Sequence, residues 1–333
     1  MESFIISVTL ALFFLLNGLD ARKYGLVLDQ ESAAIVVDKN GKGQFTTVQQ
    51  AVDSIPSNNS AWTQIYINPG VYNEKVEIKK PYIILKGDYH NRPVIEFGDS
   101  GSVVDSPTFK LNADNFVARN IVFKNTYDHL LPSKLEANRV NTTWAPAAAI
   151  AGDKASFYDC NFISLQDTLT DATGRHYFRH CNISGAIDFI WGNGQSIYQN
   201  CDINSLASKI APVAGYITAQ AREKPEETTG FVFNNCHVTG SGRINLGRAH
   251  TKYARVLFAG TIMNNIITPQ GWDAASSQGS ENLISFSEAN CTGPGADMSK
   301  RVSWEKKLSD QEVNDLTSLS YINQDGWLEK QPR

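Results

Sequence analysis

"FYDCNFIS", residues 157–164, recurs in altered form along the chain, and this recurrence decides the fold. Its copies surround cysteines in FRHCNISG (178–185), YQNCDINS (198–205) and FNNCHVTG (233–240), with weaker copies in ARNIVFKN (118–125) and FAGTIMNN (258–265). Each copy alternates apolar and polar residues over the length of a short strand, often with Asn or Asp just before the cysteine. The chain is therefore predicted to be built from repeated short strands.

The spacing of the copies indicates how these strands stack. The equivalent positions are 21, 20, 35 and 25 residues apart at Cys160, Cys181, Cys201, Cys236 and Thr261. Such steps are typical of a solenoid with loop insertions, and the β-branched and aromatic content argues against helical repeats. We predict an all-β parallel β-helix, in which the same position recurs on the next coil roughly 4.8 Å away.

Length and composition are those of one globular domain. The chain has 333 residues, of which 42% are hydrophobic and 19% charged, and no Pro/Gly/Ser-rich linker divides it. Its net charge of −4 gives no basic footprint, so nucleic acid is not an expected partner. Near the C-terminus, Ser309 is a good N-cap with acids in the following turn, which predicts a short helix packed on the side of the solenoid.

The N-terminal stretch MESFIISVTLALFFLLNGLDA (1–21) has an apolar centre from Phe4 to Leu16 that is too short to span a bilayer. It is typical of a secretory signal peptide cleaved near Ala21, which leaves residues 22–333 as one domain without membrane attachment. An uncleaved anchor remains the alternative, because the stretch lacks Lys and Arg and contains Glu2. Glycosylation sequons agree with secretion and begin at Asn58, Asn141, Asn182 and Asn290.

Two aspartates occupy equivalent places in neighbouring copies. Asp188 in GAIDFIWGNG (185–194) follows Cys181 by seven residues, and Asp167 in SLQDTLTD (164–171) follows Cys160 by seven. Carboxylates this close cannot both ionise freely, so one is pushed towards its protonated form, as an acid paired with a base or nucleophile requires. The structural alternative is that backbone donors at a strand end satisfy Asp188.

The cysteines and histidines leave other questions open. Five cysteines leave at least one unpaired; Cys201 could pair with Cys236, or the cysteines could stack as small buried apolar residues. His176 and His180 have a spacing that could bind a metal, but no third ligand is spaced with them. We expect neither a metal nor another cofactor.

Four segments in order, SLQDTLTD, GAIDFIWGNG, GYITAQAR (215–222) and NLGRAH (245–250), resemble the signature segments of plant pectin methylesterases. The resemblance extends from GKGQFTTVQQAVDSIP (41–56) to PQGWDA (269–274) and GPGADMSKRVSW (293–304), and it fits members without an N-terminal inhibitor-like pro-region. It implies a right-handed parallel β-helix that removes methyl esters from homogalacturonan in the plant cell wall, releasing methanol and pectate. It also implies a monomer and a proteinaceous inhibitor as a candidate partner.

The resemblance assigns roles to four residues. Asp188 is the expected nucleophile, and Asp167 is the expected general acid and then base. Arg248 is expected to hold Asp188 ionised, while the Gln166 amide donates to the oxyanion. An arginine beside one member of an acid pair separates the two pKa values, which agrees with these roles.

The resemblance also implies substrate-binding side chains, with two departures from the family pattern. Trp191 and Trp272 match places where aromatic rings line the cleft, with core packing as the alternative for each. Trp144 stands where the family usually has a Gln that is a second oxyanion donor, unless Asn141, a Thr or a backbone N–H substitutes. His250 replaces an aromatic residue that normally contacts substrate.

The sequence is therefore compatible with three functions. The leading one is a secreted pectin methylesterase. Close carboxylates also fit a retaining glycosidase, which holds its acids about 5 Å apart. The departures at Trp144 and His250 motivate the third, a weakened or inactive relative that binds pectin.

Overall fold

The alternating segments pair side by side as parallel strands in three sheets. The computed structural model describes residues 34–127 and 142–332, so the signal-peptide prediction and Asn141 lie outside the described residues. Sheet A contains β1 (Ile35–Val37), β2 (Thr63–Ile67), β5 (Ile83–Gly87), β8 (Phe116–Arg119), β11 (Ala155–Tyr158), β14 (Arg175–Arg179), β17 (Gln195–Gln199), β20 (Gly230–Asn234), β23 (Arg255–Ala259) and β26 (Ser285–Ala289).

Sheets B and C complete each coil. Sheet B contains β3 (Val71–Asn73), β6 (Val94–Phe97), β9 (Val122–Asn125), β12 (Asn161–Ile163), β15 (Asn182–Gly185), β18 (Asp202–Leu206), β21 (His237–Ser241) and β24 (Ile262–Met263). Sheet C contains β4 (Val76–Ile78), β7 (Phe109–Leu111), β10 (Ala148–Ile150), β13 (Leu169–Asp171), β16 (Ile190–Gly192), β19 (Gly215–Gln220), β22 (Ile244–Ala249) and β25 (Trp272–Asp273). Because the chain passes through A, B and C in turn, the predicted parallel β-helix is confirmed.

Helical segments are few and short. The α-helices are Val48–Ser54 and Asp310–Thr317, and the 3₁₀ segments are Ala207–Ile210, Ala275–Ser277, Glu281–Leu283, Pro294–Ala296, Met298–Lys300 and Leu319–Tyr321. None of the helices in the described ranges has both the length and the apolarity needed to cross a membrane.

The interior is held by rings stacked from coil to coil along sheet A. Successive centroids are 4.9, 4.7, 4.6 and 4.3 Å apart, with interplanar angles of 12° or less, through Phe157, Phe178, Tyr198, Phe233 and Phe258. These residues are partners in the strand register, so the repeat itself places one ring over the next. Each buried ring removes a large apolar area from water, and the stack fixes the register of the coils.

The backbone conformation of the residue before each cysteine explains why Asn or Asp is common at that position. It lies in the turn from sheet A to sheet B with a left-handed backbone, at φ 53° in Asp159, Asn200 and Asn235. Asn and Asp tolerate this conformation better than other residues that carry a Cβ. The cysteine that follows then points inward.

All five cysteines are free thiols, and four of them are buried. The Cys181 Sγ donates to the Phe157 carbonyl of the preceding coil at 3.4 Å, and Cys236 donates to Tyr198 at 3.2 Å. The thiols therefore stack as small interior groups, and Cys201 and Cys236 are not joined in this structure.

The predicted C-terminal helix, Asp310–Thr317, is present on the side of the solenoid. Ser309 caps it, and the Glu312 carboxylate accepts a hydrogen bond from the Ser309 N–H at 2.8 Å, which completes a capping box. We call residues 308–332, which include this helix, the C-terminal segment; its apolar residues, among them Ile322 and Trp327, pack on the outward side chains of sheet A. The C-terminal segment thus shields one face of the solenoid from water.

Candidate active site

The two aspartates lie at the turn from sheet B to sheet C on adjacent coils. The Asp167 N–H donates to the Ile187 carbonyl at 3.0 Å, and Leu169 pairs with Ile190, so Asp167 lies opposite Asp188 in register. Both have left-handed backbones, with φ of 57° and 46°. Aspartate tolerates this region, and strained turns of this kind are frequent at functional sites.

Arg248 contacts only one of the two acids. Its Nε donates to Asp188 Oδ1 at 2.8 Å and its Nη2 donates to Oδ2, which makes a two-point ion pair. The guanidinium lies 5.0 Å from the centre of the Tyr216 ring, and the Tyr216 hydroxyl donates to Asp273 at 2.7 Å. Tyr216 and Asp273 therefore support the arginine that holds Asp188.

Burial and charge give the two acids different protonation states. Asp167 and Asp188 are only 5% and 6% exposed. Burial and the neighbouring Asp188 raise the pKa of Asp167 to about 8, against a weaker opposing effect of Arg248. Burial also raises the pKa of Asp188, but the hydrogen-bonded Arg248 and the charge of His250 oppose the rise. Arg248 therefore favours the charged form of Asp188, and Asp167 is the member of the pair that more readily holds a proton.

Trp191 and His250 lie beside the acids. Trp191 is three residues after Asp188 on β16, and its indole N–H donates to the Thr170 hydroxyl at 2.9 Å. The rings of Trp191 and the exposed His250 are 5.9 Å apart. Through Ala219, Trp191 belongs to the same outward row as Arg248, so an aromatic surface borders the ion pair.

Gln166 and Trp144 lie on the adjoining coils. Gln166 is half-buried beside Asp167, and its carbonyl accepts from the Ala145 N–H at 3.4 Å. Trp144, the residue before Ala145, is 50% exposed, and its carbonyl accepts from the Gly101 N–H at 2.8 Å. Trp144 thus lies on the coil next to Gln166.

Trp272 was expected as an aromatic wall of the cleft, and this expectation is wrong. The side chain is 2% exposed and packs in the core, with ring centroids 6.0 Å from Phe258 and 4.7 Å from Phe286. Trp272 pairs with Gly247, whereas the next residue, Asp273, pairs with Arg248. A one-residue difference in register therefore turns Trp272 inward, and the alternative of core packing is the correct one.

Tyr216 and Asp273 are members of the site that the sequence did not identify individually. Both occur inside quoted motifs, and Tyr216 lies opposite Asp188 because the Phe189 N–H donates to its carbonyl at 3.4 Å. Counting along the register would have found them. The 35-residue step from Cys201 to Cys236 hides that register in the bare sequence.

The histidine pair has a structural arrangement. His176 is fully buried, with Nδ1 at the Asp171 carboxylate and Nε2 at the Gly152 carbonyl, whereas His180 is exposed in the left-handed turn. Burial lowers the pKa of His176, but Asp171 and the Gly152 carbonyl outweigh it and raise the pKa overall. The Tyr198 hydroxyl completes this network by donating to Asp171 at 2.6 Å. His176 and His180 thus lie in different environments and do not converge on a common ligand.

Comparison with known proteins agrees with this fold. A family model described as Pectinesterase matches residues 34–325. The chain is 44% identical to "Probable pectinesterase 29" of Arabidopsis thaliana over 99% of this chain and 97% of that protein. It is also 43% identical to "Probable pectinesterase 55" of the same plant over 92% of this chain and 93% of that protein.

Solved structures of pectin methylesterases have the same architecture. The enzyme from carrot superposes with a TM-score of 0.77 at 28% identity, covering 89% of this chain and 95% of that chain. The enzyme from Aspergillus niger gives 0.77 at 26% identity, covering 91% and 97%. The solenoid is accordingly a right-handed parallel β-helix. With the family model spanning most of the chain and relatives matched over nearly its full length, the protein belongs to the pectinesterase family of carboxylic-ester hydrolases.

Proposed function

We propose that this chain hydrolyses the methyl esters of homogalacturonan, releasing methanol and leaving pectate. The observation that carries the proposal is the unequal acid pair: an Asp188 carboxylate bound at two points by Arg248, opposite an Asp167 whose pKa is raised to about 8 by burial and by Asp188. One carboxylate is thereby prepared to attack, and the other holds a proton for the leaving group.

In the first half of the proposed reaction, an Asp188 oxygen forms a bond to the ester carbonyl carbon. The negative charge that develops on the carbonyl oxygen accepts a hydrogen bond from the Gln166 amide, a contribution of about 3 kcal/mol for a typical donor of this kind. The carbon–methoxy bond then breaks, and the departing oxygen takes the Asp167 proton to leave as methanol. The product of this half is an anhydride between Asp188 and the galacturonate.

In the second half, the roles of the two acids reverse. Asp167, now ionised, removes a proton from water, and the resulting hydroxide attacks the anhydride carbonyl. Cleavage of the anhydride regenerates the Asp188 carboxylate and a galacturonic acid, which loses its proton to solvent. Arg248 lowers the cost of regenerating Asp188 as an ion, because it neutralises that charge in a buried place.

The sugar chain is proposed to lie against the outward face of sheet C. Trp191 offers a ring beside the acids, with its indole N–H held by Thr170, and His250 extends that surface. Related enzymes crystallised with hexasaccharides support an oligosaccharide of this class as ligand. The proposed setting is secretion to the plant cell wall as a monomer, with a proteinaceous inhibitor as a candidate partner.

Two products measured together separate the candidate functions. Purified protein is incubated with highly methyl-esterified pectin, and methanol and new reducing ends are assayed in the same samples. The proposal predicts methanol at constant chain length. New reducing ends without methanol would instead identify a glycosidase, and binding of pectin without either product would identify an inactive relative.

A further inference from the structure

A second concave surface lies at the edge between sheets A and B, away from the acid pair. We call it the A–B groove; it is a cavity of about 390 Å³ lined by Arg119, Tyr158, Arg179, His180, Gln331 and Pro332. Its floor is the outward face of sheet A, and the C-terminal segment forms one wall. Nothing in the proposed reaction uses it.

The strand pairing of sheet A aligns cationic side chains in a column, and two of them, Arg119 and Arg179, line the groove. Lys86 pairs with Arg119, and Tyr158 pairs with both Arg119 and Arg179, so three cations and one tyrosine form an outward column on four successive strands. In a chain whose net charge is −4, this column is a local concentration of positive charge. Among the residues that the structure describes, Asp159 is the one acid in the lining, and its carboxylate lies 3.9 Å from the His180 ring.

Arg119 is held in place by neutral groups. Its guanidinium lies 4.1 Å from the centre of the Tyr158 ring, and its Nη2 donates to the Pro332 carbonyl at 3.2 Å. Within residues 34–127 and 142–332, neither Arg119 nor Arg179 has a carboxylate oxygen within 4.0 Å. A fixed arginine without an anionic partner among the described residues, next to a second arginine, is prepared to bind an anion from solution.

The groove and the acid pair are built on the same coils. Asp159 and His180 lie at the A–B edge, and each precedes an aspartate of the pair by eight residues, with β12 or β15 between. Those strands of sheet B are three and four residues long, roughly 10–14 Å. One short strand of sheet B therefore separates the groove from the acid pair on each of these coils, and a sugar polymer in the cleft lies near the groove.

We propose that the A–B groove binds de-esterified segments of galacturonan through their carboxylates. This inference rests on the proposed function, because it takes as ligand the polyanion that the ester hydrolysis would produce. The carboxylates recur along such a chain, and the cations recur along sheet A from coil to coil, which matches a linear polyanion better than a compact one. The groove would retain the enzyme on chains that it has already processed.

The test measures binding of fully de-esterified polygalacturonate by calorimetry at low and at near-physiological ionic strength. The double variant Arg119→Gln/Arg179→Gln is expected to bind about tenfold more weakly or worse, with a smaller dependence on salt. The matched control is Lys300→Gln/Lys307→Gln, which removes the same charge at two exposed positions outside the groove lining. Equal affinities of the two double variants would overturn the proposal.

Two further measurements distinguish binding in the groove from events at the active site. Methanol release from a short methyl-esterified oligomer should be the same in the groove variant and the unmodified protein, and a loss of release would contradict a separate site. Polyglutamate of similar charge should bind the unmodified protein at least about tenfold more weakly than polygalacturonate; equal binding would overturn the assignment to uronates. If the unmodified protein released no methanol but the groove variant still lost polygalacturonate binding, the proposed function would fail and the groove would stand.

Discussion

Asp167 and Asp188 share a left-handed backbone and nearly equal burial, yet Arg248 contacts only Asp188. The sequence spacing from the cysteines was enough to predict that the acids would face each other, since register carries equivalent positions onto neighbouring coils. It could not reveal how Arg248 is supported, because Tyr216 and Asp273 come from segments separated by insertions. The division of roles between two identical side chains therefore depends on contacts distant in sequence.

The pKa of Asp167 gives a prediction for the pH dependence of activity. Burial and Asp188 raise this pKa to about 8, and the acid role requires the proton, so methanol release is expected to fall as the pH rises through about 8. The fall should be close to tenfold per pH unit in kcat/KM. Methanol release measured from pH 5 to pH 10 checks this, and a profile that stays flat up to pH 10 would count against Asp167 as the acid.

Trp144 gives a second prediction at this scale. It lies on the coil next to Gln166, and loss of one oxyanion donor typically costs about 10²–10³ in rate. Trp144→Gln is therefore expected to raise kcat by about tenfold or more, with a smaller effect on KM. Trp144→Leu, which supplies no amide, is the matched control; an equal gain in both variants would show that the indole merely obstructs the cleft.

At the scale of the element, the strand–turn pattern around each cysteine was readable because its physical causes are local. Alternation predicts a strand, and Asn or Asp predicts a left-handed turn, as found at Asn200 and Asn235. The strands of sheet C were harder to predict from the sequence, since they carry functional residues and adjoin insertions. Trp272 shows the limit: only the pairing of its neighbour Asp273 with Arg248 tells that it points inward.

The left-handed turn predicts a specific pattern of stability. Asn235 is exposed at φ 53°, so Asn235→Ala loses no buried contact but places a less tolerant residue in this conformation, at an expected cost of about 1–2 kcal/mol. Asn235→Gly should cost less, because glycine adopts the conformation freely. Urea unfolding of both variants makes the comparison. Alanine as stable as glycine would mean that the turn is not under conformational selection.

At the scale of the whole molecule, the repeat predicts the solenoid but not what covers it. The C-terminal helix was predicted from its capping residue, whereas the apolar contacts of Ile322 and Trp327 with the outward side of sheet A were not. Those contacts depend on which side of each strand faces away from the stacked rings. The sequence shows apolar residues in that outward row, such as Ile197, Val232 and Leu257, but not which segment covers them.

This cover should contribute strongly to stability. Trp327 is buried against sheet A, and its indole N–H donates to the Ile322 carbonyl at 2.6 Å. Trp327→Ala is expected to cost about 3–5 kcal/mol, as for other buried large-to-small changes. Leu319→Ala, at an exposed position in the same segment, should change stability by less than about 0.5 kcal/mol. Equal costs for the two changes would show that the segment does not act as a cover.

The central claim is that Asp188, whose negative charge Arg248 stabilises, attacks a methyl ester. Its most direct test is methanol release from methyl-esterified homogalacturonan by the purified protein and by Asp188→Asn, with circular dichroism to establish that both are folded. The amide keeps the shape but has no carboxylate to attack with, so release is expected in the unmodified protein and at least about 10³-fold less in the variant. Release by Asp188→Asn within tenfold of the unmodified protein would contradict the claim.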